Sequence, residues 1–483
     1  MKKIILFTTA LIVFFAFPSL AGNQDSVLVA LSDGAVISVA HGSEASVWSV
    51  IPFALLLIMI ATGPLFYEHF WHHHYPKVAI FLASSVILYY IFGLHNVHAP
   101  IHAFAEYVQF IALISALFIA AGGILIHIDK KGSPLINVFV LLLGAVISNF
   151  IGTTGASMLL LRPYMRLNRG KIKPYHIVFF IFIVSNVGGA LTPIGDPPLF
   201  LGFLKGVPFF WTVTHSFLPW ILTISLLLAI FYWIDSRPSK RKKADESSYS
   251  GQISIQGKKN FIWLIVVIGA VFLDPSKISW LPSINYHGQH FSFIREIILF
   301  SVGFLSYKLA DKEALAKNEF NFEPIREVAF IFVGIFGTMM PALELVANFA
   351  ESPTGIKLIN HNTLFWGSGT LSAILDNAPT YLNFLTAALA AQQGNIGKIQ
   401  DVVNFAQGGV FNDSIIQLSA ISIAAVFFGA MTYIGNGPNF MVKSIAEQTG
   451  LQMPSFFGYI FRFSLPILLP ILFLVWVVFF AFS

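Results

Sequence analysis

Two aspartates interrupt long apolar stretches of this chain. Asp196 lies in Gly188-Gly-Ala-Leu-Thr-Pro-Ile-Gly-Asp-Pro-Pro-Leu-Phe200, and Asp376 lies in Ser372-Ala-Ile-Leu-Asp-Asn-Ala-Pro-Thr380. A charge at membrane depth is costly and usually functional. The structural alternative is a helix N-cap at Asp376 and a turn former at Asp196.

Neutral side chains with oxygen atoms surround both aspartates in the sequence. Carboxylate, amide and hydroxyl oxygens together suit a hard monovalent cation. Backbone carbonyls near Gly195 and Gly435 add to this set. We therefore predict an ion or substrate site formed by Asn149, Thr153, Thr154, Asn186, Thr192, Asp196, Asp376, Asn377, Thr380, Thr432, Asn436 and Asn439.

The motif around Asp196 has a near copy 240 residues later, Phe428-Gly-Ala-Met-Thr-Tyr-Ile-Gly-Asn-Gly-Pro-Asn-Phe440, in which seven of thirteen positions match. Pro removes an amide donor and Gly loosens the backbone, so each segment must partly unwind. In a membrane, unwound backbone is tolerated only where protein or a water-filled cavity satisfies it. Paired broken helices in two halves of a chain are typical of a secondary transporter, and not of an enzyme.

The composition predicts an all-α polytopic membrane protein, because 56% of the residues are hydrophobic and only 11% are charged. The net charge of +5 is read as a topology signal, so we expect the lipid bilayer as a partner and no nucleic acid. The chain has no cysteine, which excludes disulfides and thiolate metal sites. Residues 1–21 have the pattern of a signal peptide, or of an uncleaved first span, and we expect a multi-pass protein of the bacterial inner membrane.

The distribution of basic residues predicts a re-entrant hairpin. Lys130 and Lys131 precede an apolar stretch, and residues 162–173 after it hold five bases and no acid, so both flanks are expected on the cytoplasmic face. The 29 residues between them, 133–161, are too long for one span and too short for two. A second hairpin, residues 364–391, is expected to open from the outside.

These elements divide the chain into two inverted repeats, residues 47–234 and 260–483, joined by a cytoplasmic linker at 235–259. Each repeat is expected to contain three spans, a re-entrant hairpin, a broken helix and a final span, in opposite orientations. In this scheme Asn436 is the counterpart of Asp196, and Gly152 is the counterpart of Asp376.

Histidines suggest a different class of protein, a di-iron membrane enzyme. His69, His72 and His73 have the spacing of a histidine box, and His95, His98 and His102 form a second group. The span at residues 78–94 places the two groups on opposite faces, so they cannot share a metal centre. We interpret them as interfacial loop histidines that tune the response to pH.

The segment Ser185-Asn-Val-Gly-Gly-Ala-Leu-Thr-Pro-Ile-Gly-Asp196 resembles the Asn-Ala-Gly-Gly-Ala-x-x-Pro-Ile-Gly-Asp signature of NhaD-type sodium/proton antiporters, and the tip at Asp376 resembles their Asp-Asn-x-Pro sequence. These antiporters belong to an ion-transporter group that includes citrate and dicarboxylate carriers and arsenite permeases. The resemblance implies a homodimer with elevator-like movement, and ion-site roles for Asp196 and Asp376. The first tip departs from the pattern, since it reads Gly152-Thr-Thr-Gly155 where the antiporters have Asp-Asn-x-Thr-Thr.

The sequence therefore favours a sodium/proton antiporter, with Na+ as transported or coupling ion and no organic cofactor. The substrate is a small cation or a small anion, because sodium- or proton-coupled citrate or dicarboxylate transport is the alternative. Asp376 would repel a dianion, and neither hairpin tip contains a Lys or Arg to offset its charge. We expect Asp376 to bind the cation and the buried Asp196 to carry the proton.

Overall fold

The computed structural model describes residues 45–128, 130–237, 252–273, 278, 280–286 and 289–482. Within these ranges nine helices are long and apolar enough to cross a membrane. The protein is therefore an all-α polytopic membrane protein, as its composition predicts. The predicted signal peptide lies outside the described residues.

The first half contains three spans, a long bent segment, two short helices and a final span. Its helices are α1 Ile51–Phe66, α2 Glu68–Leu88, α3 His98–Gly122, α4 Pro134–Leu167, α5 Pro174–Ile183, α6 Pro197–Lys205 and α7 Trp211–Ser236. Among its described residues, the second half repeats this order with four additional short helices and a divided hairpin. Its helices are α8 Lys259–Val271, α9 Ile294–Lys308, α10 Lys312–Lys317, α11 Glu323–Glu351, α12 Pro353–Leu358, α13 His361–Ser372, α14 Asn377–Ala390, α15 Ile399–Gln407, α16 Ser414–Phe428, α17 Gly437–Gln448, α18 Phe456–Tyr459 and α19 Leu469–Phe479. The additional short helices are α10, α12, α15 and α18.

The segment α4 is a hairpin, which confirms the prediction for this part of the chain. Its path turns at Gly152, where φ is 77° and ψ is 155°. The two ends meet again, since the Gly132 amide donates to the Leu167 carbonyl at 2.7 Å. The second arm continues to Leu167, six residues beyond the predicted end, because the basic residues after Leu161 extend the helix instead of forming a loop.

Helices α13 and α14 form the second hairpin, with its tip at residues 373–376. The arms run antiparallel, since a Cβ atom on Gly367 in α13 would lie 2.8 Å from the ring of Phe384 in α14. Asp376 is the N-cap residue of the returning arm.

The two hairpins enter from opposite faces of the protein. Helices α3 and α11 pack antiparallel, with Phe118 near Phe320 and Phe110 stacked on Phe332 at 4.3 Å between ring centroids. The first hairpin follows the C-terminal end of α3, and the second follows the C-terminal end of α11. The halves are therefore inverted relative to each other, as the charge pattern predicts.

The helices group into two units. The frame consists of the first three spans of each half, α1, α2, α3, α8, α9 and α11. The hairpin unit consists of the hairpins, the broken helices and the last spans, α4 to α7, α13, α14, α16, α17 and α19. The units meet where α3 packs on α4 and α6, and where α11 packs on α14.

Some details differ from the sequence-based expectation. Helices α8 and α9 contain only 13 and 15 residues, about 20 and 23 Å at the usual rise, and neither is among the nine long spans. His69, His72 and His73 lie in the first turns of α2 and not in a loop, because the helix begins at Glu68.

Short strands also occur that the sequence did not suggest. β1 (Leu125–Ile128) pairs antiparallel with β2 (Ile253–Gln256), and β3 (Ile284–Tyr286) pairs with β4 (Gln289–Phe291). The first ribbon joins the end of α3 to the predicted linker. The division at residues 235–259 stays a prediction, because 238–251 lie outside the described part of the chain; Asp235 itself belongs to α7.

Candidate functional site

The two broken helices have nearly the same backbone at their breaks. Asp196 has φ −143° and ψ 142°, and its counterpart Asn436 has φ −153° and ψ 140°. In each break two glycines approach closely, because a Cβ atom on Gly195 or Gly435 would overlap the carbonyl of Gly189 or Gly429. This crossing of the chain explains why the motif needs glycine at both positions. At these two equivalent positions the first half therefore carries an acid and the second half an amide.

Asp196 is the point at which the tips and breaks of both halves meet. Its Oδ1 accepts hydrogen bonds from the Thr153 hydroxyl and from the Asn436 amide, each at 2.9 Å. Its Oδ2 accepts one from the Asn377 amide at 2.7 Å. All four side chains are buried. A carboxylate that accepts three donors is held in place from three directions, and Oδ2 keeps a position for one more partner.

Asp376 has a simpler environment. Its Oδ1 accepts from the backbone amide of Ala378 at 3.0 Å, which is the N-cap interaction. No other hydrogen bond to this side chain occurs among the described residues. The next residue, Asn377, donates to Asp196, which brings the second tip against the first break. Asp376 is thus both a helix cap and a carboxylate with free acceptor positions beside Asp196.

The side-chain oxygen of Asn377 is a buried acceptor beside the carboxylate of Asp196. This residue is fully buried, its Nδ2 is occupied by Asp196, and its Oδ1 receives no hydrogen bond from the described part of the chain. An unpaired buried acceptor is costly. A cation would satisfy it, and the carboxylates of Asp196 and Asp376 lie nearby, so these residues fit a small cation.

Asn149 and Thr192 brace the first hairpin against the first break. Asn149 donates to the Gly188 carbonyl at 2.7 Å and accepts from the Leu191 amide at 2.9 Å. The Thr192 hydroxyl donates to the Asn149 carbonyl at 2.6 Å. Both side chains satisfy backbone that the break leaves unpaired, so they shape the site without pointing a free oxygen into it.

Thr432 and Asn439 have the same bracing role in the second half, and Asn186 of the first half contacts Asn439. Thr432 donates to the Ala373 carbonyl in the second tip at 2.6 Å, as Thr192 does in the first. Asn186 donates to the Oδ1 of Asn439 at 2.7 Å, and Asn439 donates to the carbonyls of Gly429 and Thr432. Asn186 also accepts from Asn436 at 3.2 Å, which links this group to Asp196.

The two remaining predicted residues lie at the edge of the site. Thr380 donates to the Asp376 carbonyl at 2.9 Å and so stabilises the first turn of α14. Thr154 lines a cavity of about 30 Å³ beside Gly152, Asp196 and Leu113 of the frame. A cavity of this size holds a water molecule or a small ion, since about 10–15 Å³ suffices for one water. The Gly195 carbonyl, which we expected among the ligands, instead accepts from the Thr153 amide at 2.8 Å.

Some side chains that satisfy the freed carbonyls were not among the predicted site residues. Ser148 in the first tip donates to the Val184 carbonyl, and Ser372 in the second donates to that of Ala425. Trp220 in α7 donates to the Gly188 carbonyl at 3.1 Å, and Tyr459 donates to that of Ala430 at 2.8 Å. The serines were detectable, because they hold equivalent positions in the two tips; Trp220 and Tyr459 had no signal of this kind.

The charge distribution favours a positive ligand. The segments 148–155, 185–200, 372–380 and 428–440 contain no Lys or Arg. Neither Asp196 nor Asp376 forms an ion pair with a basic side chain among the described residues. Burial without a basic partner leaves the site negative whenever a carboxylate is ionised.

The histidines form no shared metal site in the described part of the chain. His69 stacks on His73 at the start of α2, and His98 lies 3.0 Å from His102 at the start of α3. Helix α2 separates these two groups, as predicted, and no group of three metal-binding side chains occurs among the described residues.

The chain also matches a known protein family. The model of the family described as "Putative citrate transport" matches residues 42–480, which is nearly the whole chain and includes both hairpins and both broken helices. No curated protein matches the sequence.

Proposed function

Because the chain belongs to this citrate-transport family and is a multi-pass membrane protein, it is a secondary transporter, and we propose that it exchanges sodium for protons. The observation that carries the proposal is the group formed by Asp196, Asp376 and the unpaired Oδ1 of Asn377, which has no basic residue in its segments. Sodium prefers such oxygen ligands.

Electrostatic competition between sodium and the proton at these two carboxylates accounts for the coupling. Asp376 has free acceptor positions, so it binds the cation together with the Asn377 oxygen. Oδ2 of Asp196 accepts one hydrogen bond where Oδ1 accepts two, so Oδ2 is where a proton binds. A proton on either carboxylate lowers the negative charge available to sodium, and sodium disfavours the proton in turn.

Citrate or another small carboxylate is the second candidate substrate, because the family description names citrate. In that case sodium or protons would neutralise the two aspartates so that the anion could approach. The cavity of about 30 Å³ beside Asp196 is small for a tricarboxylate in this conformation. Sodium/proton exchange is therefore the simpler account.

We further propose that the protein works as a homodimer in the bacterial inner membrane, with the hairpin unit moving against the frame. This movement would carry Asp196 and both tips together, because hydrogen bonds join them across the two halves.

Transport in proteoliposomes tests the proposal. Vesicles loaded with a pH-sensitive dye receive an outward or inward sodium gradient, and parallel samples receive labelled citrate with and without sodium. We expect sodium-driven proton movement without citrate uptake. The second candidate would replace this proposal if citrate uptake required sodium or a proton gradient and if no sodium/proton exchange occurred without citrate.

A further inference from the structure

An ion pair connects the frame to the hairpin unit at a short distance from the site. Lys205, the last residue of α6, lies 2.5 Å from Glu106 of α3, measured between Nζ and Oε1. The side chains are only 13% and 21% exposed. Among the described residues, one further ion pair joins the hairpin unit to the frame side of the protein. It links Arg162 of α4 to Glu319 in the connection just before α11, and there the glutamate is 67% exposed.

Helix α6 connects this ion pair directly to the site. Asp196 is its N-cap residue and Lys205 is its last residue. Nine helical residues span about 13 Å, so a short rigid rod separates the carboxylate from the ammonium group.

Helix α3 contributes to both the ion pair and the cavity at Asp196. Leu113 and Leu117 of α3 line the cavity that contains Asp196, and Glu106 lies two turns before Leu113, about 10 Å away along the helix. The contact between α3 and α6 therefore closes the cavity at one end and forms the ion pair at the other.

Separation of this pair has a high energetic cost wherever water is scarce. Each charge would lose its partner, and an unpaired charge at membrane depth is strongly unfavourable. The pair thus favours the arrangement in which α6 lies against α3. It can open only in an arrangement in which both groups reach water or new partners.

We propose that Glu106 and Lys205 form a lock that holds the hairpin unit against the frame in this conformation and that opens during each transport cycle. The proposal rests on the proposed function, because only a carrier has to alternate between two conformations. Loss of the lock shifts the population of the two conformations and leaves the ion ligands themselves unchanged.

The absence of cysteine allows a direct test. Leu117→Cys places one thiol on the wall of the cavity, and a membrane-impermeant thiol reagent is applied separately to each side of vesicles in sodium-free choline buffer. Labelling rates are measured in the parent, in Glu106→Gln/Lys205→Gln and in the charge-swapped Glu106→Lys/Lys205→Glu. The matched control is Arg162→Gln/Glu319→Gln, which removes the more exposed ion pair between α4 and the connection just before α11.

We expect the double-neutral variant to change the labelling rate from at least one side by about fivefold or more, the lower range of measured couplings between sites. The charge swap should return the rate toward that of the parent. The control should stay within about twofold, since exposed pairs contribute little.

Labelling in the double-neutral variant that equals the parent would overturn the lock, and so would an equal change in the control. A double-neutral variant that does not fold while the charge swap folds would also overturn it, because the pair would then be structural. The labelling assay uses no transported substrate. If the labelling rates change as expected but the protein shows no sodium/proton exchange, the proposed function is contradicted and the lock is not.

Discussion

Replacement of each aspartate by asparagine should separate stability from sodium binding. Asp376 makes one hydrogen bond, to the Ala378 amide, as an N-cap. Asn caps a helix about as well as Asp, so Asp376→Asn should change the free energy of unfolding by less than about 0.5 kcal/mol. It should nevertheless abolish sodium binding and exchange, because the free carboxylate oxygen is lost.

Asp196→Asn should lower stability more than Asp376→Asn does, and should weaken sodium binding less. An asparagine keeps one acceptor oxygen, which serves Thr153 and Asn436, but its amide group faces the Asn377 amide in place of Oδ2. The loss of one hydrogen bond to a charged acceptor should cost about 1.5–3 kcal/mol. Sodium binding should persist more weakly, and proton movement should uncouple from it.

Thermal unfolding in detergent, with sodium chloride or choline chloride at equal ionic strength, measures both effects. Sodium at a hundred times its dissociation constant stabilises the parent by about 2.7 kcal/mol, and a tenfold weaker site reduces this to about 1.4 kcal/mol. The matched control is Asp413→Asn, an exposed residue in a left-handed conformation that Asn also tolerates. Calorimetry gives sodium binding directly.

Two results would refute this reasoning. Full sodium stabilisation in Asp376→Asn would show that its carboxylate is only a helix cap. Complete loss of sodium binding in Asp196→Asn, with parental stability in choline, would show that the three hydrogen bonds at Asp196 do not support the fold and that the two roles are reversed.

Three further predictions concern topology, coupling and the first tip. A thiol at Lys131→Cys should react only from the cytoplasm and one at Lys357→Cys only from outside; reaction of both from the same side would contradict the inverted repeats. The apparent sodium affinity, measured by calorimetry at several pH values, should fall as the pH falls, because protons and sodium exclude each other; a constant affinity would exclude competition. Gly152→Ala should lower stability by about 1–3 kcal/mol because φ is 77° there, whereas Gly437→Ala, at a position with open space, should not; equal unfolding temperatures would contradict this account of the tip.

The hairpins and the broken helices could be predicted because local chemistry fixes them. Gly and Pro cannot continue a helix around Asp196, and basic residues on both sides of residues 133–161 require both ends on one face. The motif that recurs 240 residues later then identified the equivalent positions in the two halves. These predictions depend only on neighbouring residues and on the thickness of a membrane, and they require no knowledge of tertiary contacts.

Local sequence could not assign roles within the predicted site. Several of the twelve residues are of the same type, and only the packed structure distinguishes an asparagine that braces backbone, such as Asn149, from one at the carboxylate, such as Asn377. The side chains of the first group bond backbone groups, whereas the Oδ1 of Asn377 in the second group receives no hydrogen bond from the described part of the chain.

The sequence by itself thus determined the class of protein, the two breaks and the two tips, because helix-breaking residues and charges act locally. The tertiary structure decided which of these parts meet. The donors to Asp196 come from positions 43, 181 and 240 residues away, and Lys205 pairs with Glu106 across 99 residues. Such distant partners are chosen by the packing of two inverted halves, since only that packing brings both tips and both breaks to one carboxylate.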